Sequence, residues 1–479
     1  MSNKKRAVKG VIWSGIERFS VQIVQFVITI ILARILSPSD FGLLALVMVM
    51  INILQVFNEV GFGAALMQKL DRDELDFSTV FVFNMILGIV LYSLVYLCAP
   101  YIAFFFDNTE LTLLIRLIGL NLIISSFIVV QRTRLWINVD FKTIAKASFV
   151  AVLISGIISI YLAITRWGVM ALVIQSLVNN LVNTMLIWLL VKWKITLRFS
   201  YERFVGLFHY AYKLILARLV NSLFNEIYSI VIGKVYTPTQ LGYFNRAKSF
   251  TELSSGNITS IVQKVSVPLL CEAQHDNKRM GEVLLKFIKN TAFIVYPLLC
   301  GLFVLAEPLI RVLLTDKWLS SVWILRVLCP IGMMYVISTF NMNVFNATGR
   351  TDWALKSEIF KKIIYIGIIT IAVFFGFKVL IYSQLLIAVV ELIISVYYTN
   401  KQIGLNLYSQ LVSLGSIFFQ SLIMAAFVWG ITNTISDDYF KLLLGIITGV
   451  FSYSMFSYSF NTNNFRDVLK STISKKEKH

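Results

Sequence analysis

Two apolar stretches of the chain each carry an arginine, followed by amide and hydroxyl side chains along one face of a predicted helix. In the first stretch these residues fall at i, i+4, i+7 and i+11, a spacing that makes a stripe about 16 Å long. They are Arg18, Gln22, Gln25 and Thr29. The second stretch carries the corresponding set of Arg218, Asn221, Ser222, Asn225 and Ser229. A charge in a membrane helix costs about 2.5–3.5 kcal/mol on insertion scales, so each arginine needs a reason to be there.

Recognition of a phosphate and a sugar is the chemistry that these stripes suit. Arginine presents a planar fork of donors that matches phosphate oxygens, and amides and hydroxyls offer hydrogen bonds to sugars. We expect Arg18 and Arg218 to bind the diphosphate of a lipid in the cytoplasmic leaflet, and the deeper polar side chains to bind its glycan. The further candidates are Arg246 and Lys248 for the diphosphate, and Asn52 and Gln55 for the glycan.

A structural role is the alternative for the two arginines. Pairing with Glu17, Glu226 or Glu252 would fix the packing of the helices without binding any substrate. The occurrence of the stripe in two places favours a function, but a common ancestor would preserve either role. Both interpretations therefore stay open at this point.

Any transport by this chain would need an energy source other than nucleotide hydrolysis by the chain itself. No GxxxxGK[ST] phosphate loop or soluble ATPase domain is found in the sequence. We expect coupling to a proton or sodium gradient, with Glu226 and Glu391 as the intramembrane acids that could bind the ion. For both acids the alternative is a hydrogen bond to a neighbouring polar group.

No catalytic residue, metal site or cofactor is predicted. The four cysteines have no CxxC spacing and no neighbouring histidine, and the three histidines are far apart in the sequence. The cysteines are Cys98, Cys271, Cys300 and Cys329.

An internal repeat positions the two stripes. Residues 34–45 read RILSPSDFGLLA and residues 234–245 read KVYTPTQLGYFN, so that Pro38 corresponds to Pro238 and Gly42 to Gly242. The same offset places Arg18 on Arg218. Further along the chain the register drifts slightly and Arg116 corresponds to Arg326. The chain is therefore predicted to be duplicated.

The composition requires a membrane. The sequence is 58% hydrophobic and only 14% charged, with a mean hydropathy of +0.78, which excludes a soluble globular chain. We predict an all-α polytopic protein with about 14 membrane-spanning helices. The expected parts are a six-helix lobe at 1–200, a second at 201–400 in parallel repeat, two additional helices at 401–462, and a basic cytoplasmic tail at 463–479.

The distribution of lysine and arginine predicts the orientation. These residues are concentrated in the loops on the side of the N-terminus and are scarce in the opposite loops. The positive-inside rule then places both termini in the cytoplasm. The net charge of +18 does not indicate nucleic acid as a partner, because the basic residues lie between apolar runs.

Several separate motifs together resemble a known family. They are ILARILSPSDFGLLALV, EVGFGAALMQK, APYIAFFFDNTEL, QRTRLWINVDFK, TPTQLGYFNRAKSF, PLLCGLFVLAEPLIRVLLTDKW and NATGR. The sequence resembles the Wzx-type exporters of lipopolysaccharide, colanic acid and teichuronic acid, which belong to the multidrug/oligosaccharidyl-lipid/polysaccharide (MOP) superfamily. The resemblance extends over residues 1 to about 400 and does not supply a set of binding residues.

The resemblance implies a function. It implies a two-lobed flippase in the bacterial cytoplasmic membrane, working by alternating access in lipopolysaccharide, capsule or exopolysaccharide biosynthesis. The cargo would be an undecaprenyl-diphosphate-linked oligosaccharide, moved from the cytoplasmic to the periplasmic or outer leaflet. The implied partners are this lipid-linked oligosaccharide, membrane lipids, and the polysaccharide polymerase and chain-length machinery.

Other classes of membrane protein are alternatives. A cation-coupled multidrug exporter of the same superfamily would take cationic substrates, which two arginine stripes would repel. A membrane polysaccharide polymerase or glycosyltransferase would need a sizeable outer loop or a cluster of acids and histidines. A purely structural scaffold would not need a repeated polar stripe.

Overall fold

The computed structural model describes residues 20–59, 61–191, 193 and 196–460, and every regular element in those ranges is a helix. The first part of the chain forms α1 (Ser20–Ile35), α2 (Pro38–Glu59), α3 (Gly61–Gln68), α4 (Glu74–Phe105), α5 (Glu110–Ser126), α6 (Val129–Ile137), α7 (Phe141–Ile164), α8 (Val169–Leu190) and α9 (Tyr201–Val235).

The second part continues with α10 (Pro238–Thr251), a π-helical turn (Glu252–Gly256), α11 (Asn257–Glu272), α12 (Asn277–Val304), α13 (Ala306–Leu314), a 3₁₀ turn (Asp316–Ser321), α14 (Val322–Thr348), α15 (Thr351–Phe374), α16 (Phe377–Ile403), α17 (Leu407–Asn433) and α18 (Asp438–Phe460).

The helices confirm a polytopic membrane protein. Ten helices in the described ranges are long and apolar enough to cross a membrane, or eleven if α5 and α6, bent by 44°, form one span. The remaining predicted spans coincide with α1, with α10 and α11, and with α15. The described part of α1 is short, and the others carry several charged side chains, so the number of 14 spans stays a prediction.

Two compact units divide the chain, at Met1–Gly242 and Tyr243–His479. In the first unit α5 packs on α4 and α8, α7 packs on α8, and α9 packs on α2 and α3. In the second unit α12 packs on α14 and α17, and α18 packs on α17. The two C-terminal helices therefore belong to the second unit, while the predicted lobe boundary at residue 200 stays a prediction.

The repeated motif forms the same helix start in both copies. Pro38 and Pro238 occupy the first positions of α2 and α10, where the missing N–H of proline costs nothing. Before α2, the N–H of Ser37 donates to Asp40 at 2.8 Å, and the N–H of Asp40 donates to the Ser37 hydroxyl at 3.2 Å. Thr237 and Gln240 make the equivalent pair before α10, at 3.1 and 3.2 Å. Each copy is thus a reciprocal capping box.

The two copies of the motif also contact each other, within the first unit. A Cβ atom added to Gly42 would lie 1.7 Å from the carbonyl oxygen of Pro238, and one added to Gly242 would lie 2.0 Å from that of Pro38. Only glycine allows this approach, because the obstructing atoms are backbone. The contact is reciprocal, as the internal repeat would lead one to expect.

A second pair of equivalent contacts supports the duplication. The guanidinium Nε of Arg116 on α5 donates to the carbonyl of Tyr96 on α4 at 3.4 Å. The corresponding Arg326 on α14 donates to the carbonyl of Phe303 on α12, also at 3.4 Å. Both arginines therefore bind the backbone of a neighbouring helix within their own unit.

Candidate polar cavity in the first unit

Polar residues follow one face of α5 and α6 and one face of α8. On the first face they fall at i, i+4 and i+11, and they are Asn121, Ser125 and Arg132. On α8 they recur in every turn and are Gln175, Ser176, Asn179, Asn180 and Asn183. Because residues at this spacing share a helix face, packing α5 against α8 brings the two polar faces together.

A hydrogen-bond network joins the two faces. The Asn180 amide donates to Asn121 Oδ1 at 3.0 Å and to the Ser125 hydroxyl at 2.9 Å. Asn121 in turn donates to the Ser176 hydroxyl at 3.1 Å. On the other side of α8, Asn179 donates to Ser155 of α7 at 3.3 Å. These bonds fix the register of α5, α7 and α8, since moving any of the helices would leave buried amides without partners.

A cavity of about 460 Å³ lies against this network. Its wall is formed by residues of α1, α2, α5, α6, α7 and α8, and Gln25 and Gln55 are among them. The structure therefore brings together two of the residues predicted to bind a glycan, one on α1 and the other on α2. The volume falls within the range of about 300–1,000 Å³ that is usual for small-molecule sites.

The charge of the cavity is unbalanced. Among the described residues that line it, Arg132 is charged and none is acidic. Arg132 Nε, Gln175 Nε2 and Asn183 Oδ1 are buried atoms without a hydrogen-bond partner. Gln175 and Asn183 are only 8% and 9% exposed, and buried polar atoms of this kind are normally bonded to protein or water. The cavity thus has unused hydrogen-bonding capacity.

The first predicted stripe is described only in part. Arg18 lies outside the described residues, so its proposed pairing with Arg218 stays a prediction. Gln22 and Thr29 are half-buried on α1, and only Gln25 lines the cavity.

The second predicted stripe lies along α9. Arg218, Asn221 and Asn225 are exposed, Ser222 is half-buried, and Ser229 is buried. None of them lines the cavity of the first unit. Their predicted roles in binding diphosphate and glycan therefore stay predictions.

One predicted glycan residue and one predicted ion-coupling residue contact each other. The side-chain amide of Asn52 on α2 donates to the Glu226 carboxylate on α9 at 3.0 Å. This is the hydrogen bond that the structural alternative for Glu226 requires. The bond does not test ion binding, so the coupling role of Glu226 stays a prediction.

The remaining cationic candidates lie in the second unit. The Arg246 guanidinium is 5.5 Å from the centre of the Trp318 ring, a cation–π distance. Lys248 pairs with Glu252 one turn further along the chain at 3.8 Å. These contacts are structural, and diphosphate binding by the two residues stays a prediction.

Glu391 lies in a cluster of charges between α15 and α16. It accepts a hydrogen bond from the Tyr365 hydroxyl at 3.0 Å, and the Lys361 ammonium is 3.9 Å away. The Lys361 side chain is only 2% exposed and is also paired with Glu358 at 2.9 Å. Glu391 therefore already has an ammonium of the chain nearby, while Glu358 also contacts Lys362 at 3.6 Å. The coupling role of Glu391 stays a prediction.

The sequence-based prediction missed most of the cavity lining. The amides of α8 recur at helical spacing, and Asn121, Ser125 and Arg132 repeat the spacing of the Arg18 stripe. This pattern is visible in the sequence. It is less conspicuous than the predicted stripes because the α8 residues that interrupt the apolar run are uncharged. Which amides face each other depends on the packing of α5 on α8.

Comparison with solved structures identifies the fold. The inward closed conformation of the lipid II flippase MurJ superposes with a TM-score of 0.76, covering 96% of this chain and 100% of that one at 19% identity. An inward-facing multidrug resistance transporter of the MATE family superposes with a TM-score of 0.65, covering 81% of this chain and 98% of the other at 19% identity. This chain therefore has the fold of the MOP superfamily of transporters.

Sequence comparison identifies the family. A family model described as "Polysaccharide biosynthesis protein" matches residues 31–323, which is more than half of the chain. The chain belongs to this family, which confirms the resemblance seen in its motifs.

Two relatives extend over most of the chain. The teichuronic acid biosynthesis protein TuaB of Bacillus subtilis (strain 168) is 27% identical over 462 residues, 94% of each chain. The lipopolysaccharide biosynthesis protein WzxC of Escherichia coli (strain K12) is 24% identical over 434 residues, covering 88% of this chain and 87% of WzxC.

Proposed function

We propose that the protein is a flippase that moves a lipid-linked oligosaccharide from the cytoplasmic to the outer leaflet of the bacterial cytoplasmic membrane. The observation that carries the proposal is a cavity lined with amides and hydroxyls inside a bundle of membrane helices. Buried polar groups are costly inside a membrane, and those left without a partner in the protein favour a pathway or a ligand. In a chain of the polysaccharide biosynthesis family, a glycan is the ligand that matches them.

Amides and hydroxyls are suited to sugars because each can donate and accept. Gln25, Gln55 and Gln175 reach the cavity from three different helices, α1, α2 and α8. A sugar ring there would be held from several sides, while the attached lipid chain would stay in the bilayer. The protein would act as a transporter and not as an enzyme, and its product would pass to the polymerase and chain-length machinery.

The reciprocal contact of the two repeated motifs supports an alternating-access cycle. With both termini in the cytoplasm, as the positive-inside rule predicts, Pro38 and Pro238 begin helices at the outer side of the membrane. The Gly42–Pro238 and Gly242–Pro38 approaches would form the outer gate. The motifs would separate to release cargo and would meet again after release.

An ion gradient would supply the energy. We favour Glu226 with Asn52 as the proton or sodium site over Glu391, because Glu391 already has Lys361 and Tyr365 as partners. The transmembrane potential contributes about 2.3 kcal/mol per elementary charge at 100 mV, enough to bias the cycle in one direction.

The test is export in bacterial cells that lack the protein. Lipid-linked oligosaccharide should accumulate in the cytoplasmic leaflet, and the wild-type chain should restore polysaccharide export. The pair Arg18→Ala/Arg218→Ala should fail to restore it although the protein reaches the membrane. Resistance to cationic drugs in place of restored export would favour the multidrug alternative and would contradict the proposal.

A further inference from the structure

Two ion pairs hold α9 against α4, one near each end of the two helices. At the beginning of α9, the Arg203 guanidinium contacts Asp73 at 3.2 Å and Asp76 at 3.7 Å. Near the end of α9, the Lys234 ammonium donates to the carboxylate of Asp107, which lies just after α4, at 2.7 Å. The two helices therefore run side by side in the same direction.

The spacing of the charges places the two pairs on opposite sides of the membrane. Arg203 is 31 positions before Lys234, and Asp76 is likewise 31 positions before Asp107. A helix rises 1.5 Å per residue, so about 46 Å separates the pairs, more than the roughly 30 Å of the hydrocarbon core. Each pair thus reaches the head groups or water. In the predicted topology the Arg203 pair is cytoplasmic and the Lys234 pair is outer.

Both pairs can open without leaving a buried charge alone. The side chains of Arg203 and Asp73 and those of the outer pair are between 36% and 74% exposed. Asp76 is fully buried, but it keeps the Lys69 ammonium at 2.8 Å when Arg203 leaves. Because exposed ion pairs contribute little to stability, these two suit contacts that break and re-form better than a permanent brace.

The outer pair adjoins the contact between the two repeated motifs. Lys234 is the first residue of the second motif, four positions before Pro238, whose carbonyl oxygen meets Gly42. Since Lys234 would move together with Pro238, separating the motifs also pulls it away from Asp107. The cytoplasmic pair, at the far end of α9, can stay closed during this movement.

We propose that the two ion pairs are latches that open in alternation. The inner latch is Arg203 with Asp73, the outer latch is Lys234 with Asp107, and the structure has both closed. Opening one latch while the other stays closed exposes the polar cavity of the first unit to one side of the membrane at a time. The transport cycle in which this occurs rests on the proposed function, whereas the opening of the latches needs no cargo.

A cysteine in the polar cavity reports which side is open. Met48 lines the cavity from α2, and Met48→Cys is introduced into the full-length chain after its four free cysteines have been replaced by alanine. A membrane-impermeant maleimide is added to intact cells to measure labelling from the outer side. The same reagent is added to inside-out vesicles to measure labelling from the cytoplasmic side.

Neutralising one latch should raise labelling from its own side and lower labelling from the other. Lys234→Gln should raise the outer rate and lower the cytoplasmic rate, each about two- to fivefold, as expected for the loss of an exposed ion pair. Arg203→Gln should do the reverse. Asp73→Asn, which keeps a side chain suited to the helix cap, should act as Arg203→Gln does. The matched control, Arg166→Gln, removes a cation from an exposed position outside both latches and should change neither rate.

Exchanging the charges of the outer latch gives the second test. The double variant Lys234→Asp/Asp107→Lys restores an ion pair, so it should return both rates towards the wild-type values although each single reversal shifts them. Unchanged rates, rates that rise on both sides, a cysteine that is labelled from neither side, or a double exchange without recovery would each overturn the inference.

Export measured in the same variants separates this inference from the proposed function. Opposite shifts in labelling, in a protein that restores no polysaccharide export, would count against the proposed function but not against the latches. Restored export with labelling that no latch variant changes would remove the latches and leave the proposed function in place.

Discussion

The amides of the cavity wall differ in whether their side chains are already hydrogen-bonded within the protein. Asn180 gives its side-chain N–H groups to Asn121 and Ser125, so it connects α8 to α5 and shapes the cavity wall. Gln175, by contrast, keeps an N–H unused. The first type of residue holds the helices together and the second is available to a ligand.

Removing Asn180 should therefore affect stability as well as transport. Asn180→Ala leaves acceptors on Asn121 and Ser125 without their donor, at a cost of about 1–3 kcal/mol. Thermal unfolding of the detergent-solubilised protein should show a lowered midpoint. Asn138→Ala, which removes an exposed amide after α6, is the control and should leave the midpoint in place. An unshifted midpoint for Asn180→Ala would show that the network contributes nothing to stability.

The buried lysine of the second unit gives a further prediction at this scale. Lys361→Met leaves Glu391 without its nearby ammonium and leaves Glu358 with Lys362 at 3.6 Å. Because both acids are 35% exposed, the loss of stability should be well below the roughly 3–5 kcal/mol of a fully buried pair. Adding Glu391→Gln should recover part of this loss, because the acid left without an ammonium partner is then replaced by a neutral amide. Chemical denaturation would measure both changes, with the exposed Lys378→Met as the control. If the double variant is no more stable than Lys361→Met alone, Glu391 is not a partner of Lys361.

At the scale of helices, caps decide where the membrane spans begin. Asp73 precedes α4 and forms a capping box with Asp76, and its carboxylate also contacts Arg203 of α9 at 3.2 Å. The hydrogen bond from the Asp76 N–H lowers the pKa of Asp73, and the nearby Arg203 and Lys69 add to this although partial burial opposes it. The lowered pKa means that the ionised cap stabilises the folded state.

The cap makes stability depend on acid in a defined direction. Asp73→Ala should cost about 1 kcal/mol at neutral pH, the usual value for an N-cap. Because the folded pKa is depressed, the contribution is present above the ordinary aspartate pKa and is lost as the pH falls through the lower, folded value. The difference in unfolding free energy between wild type and variant should shrink towards acid pH. A difference that stayed constant with pH would show that charge plays no part in the cap.

The glycines of the repeated motif make a prediction about gating. Gly42→Ala or Gly242→Ala would place a methyl group within 1.7 or 2.0 Å of a backbone carbonyl, which the backbone can relieve only by separating the two motifs. Export should fall at least about tenfold, since a 1.4 kcal/mol loss of the closed contact already gives that factor. Gly367→Ala, where a Cβ meets nothing within 4 Å, should retain export. Full export by both motif variants would remove this contact from the gating cycle.

The elements were more predictable from the sequence than the site. Apolar runs predicted the helices because helix formation depends on residues close in sequence. The Pro38/Pro238 repeat predicted the duplication because each copy is a continuous motif. The site depended on long-range packing: Asn121 and Asn180 are far apart in the chain, and their contact requires α5 and α8 to be in register. Attention to the rare charges also favoured Arg18 and Arg218 over Arg132, which lies at a predicted span end where an arginine is ordinary.

For the whole molecule, the fold and the family both indicate transport in polysaccharide biosynthesis. The fold is shared with solved transporters of the MOP superfamily, and the family is that of polysaccharide biosynthesis. The polar cavity of the first unit is the place within this fold where we propose that the sugar binds. Together these features fit a membrane transporter of polysaccharide biosynthesis.

The most direct measurement of this account is the leaflet accessibility of a short-chain prenyl-diphosphate oligosaccharide in proteoliposomes, with and without a proton gradient. We expect the wild-type protein to move the lipid to the opposite leaflet, faster with the gradient, and the Arg18→Ala/Arg218→Ala variant to do so at least about tenfold more slowly. Protein-free liposomes set the background rate. Transfer by the wild type at that background rate, for both neutral and acidic glycans, would contradict the account.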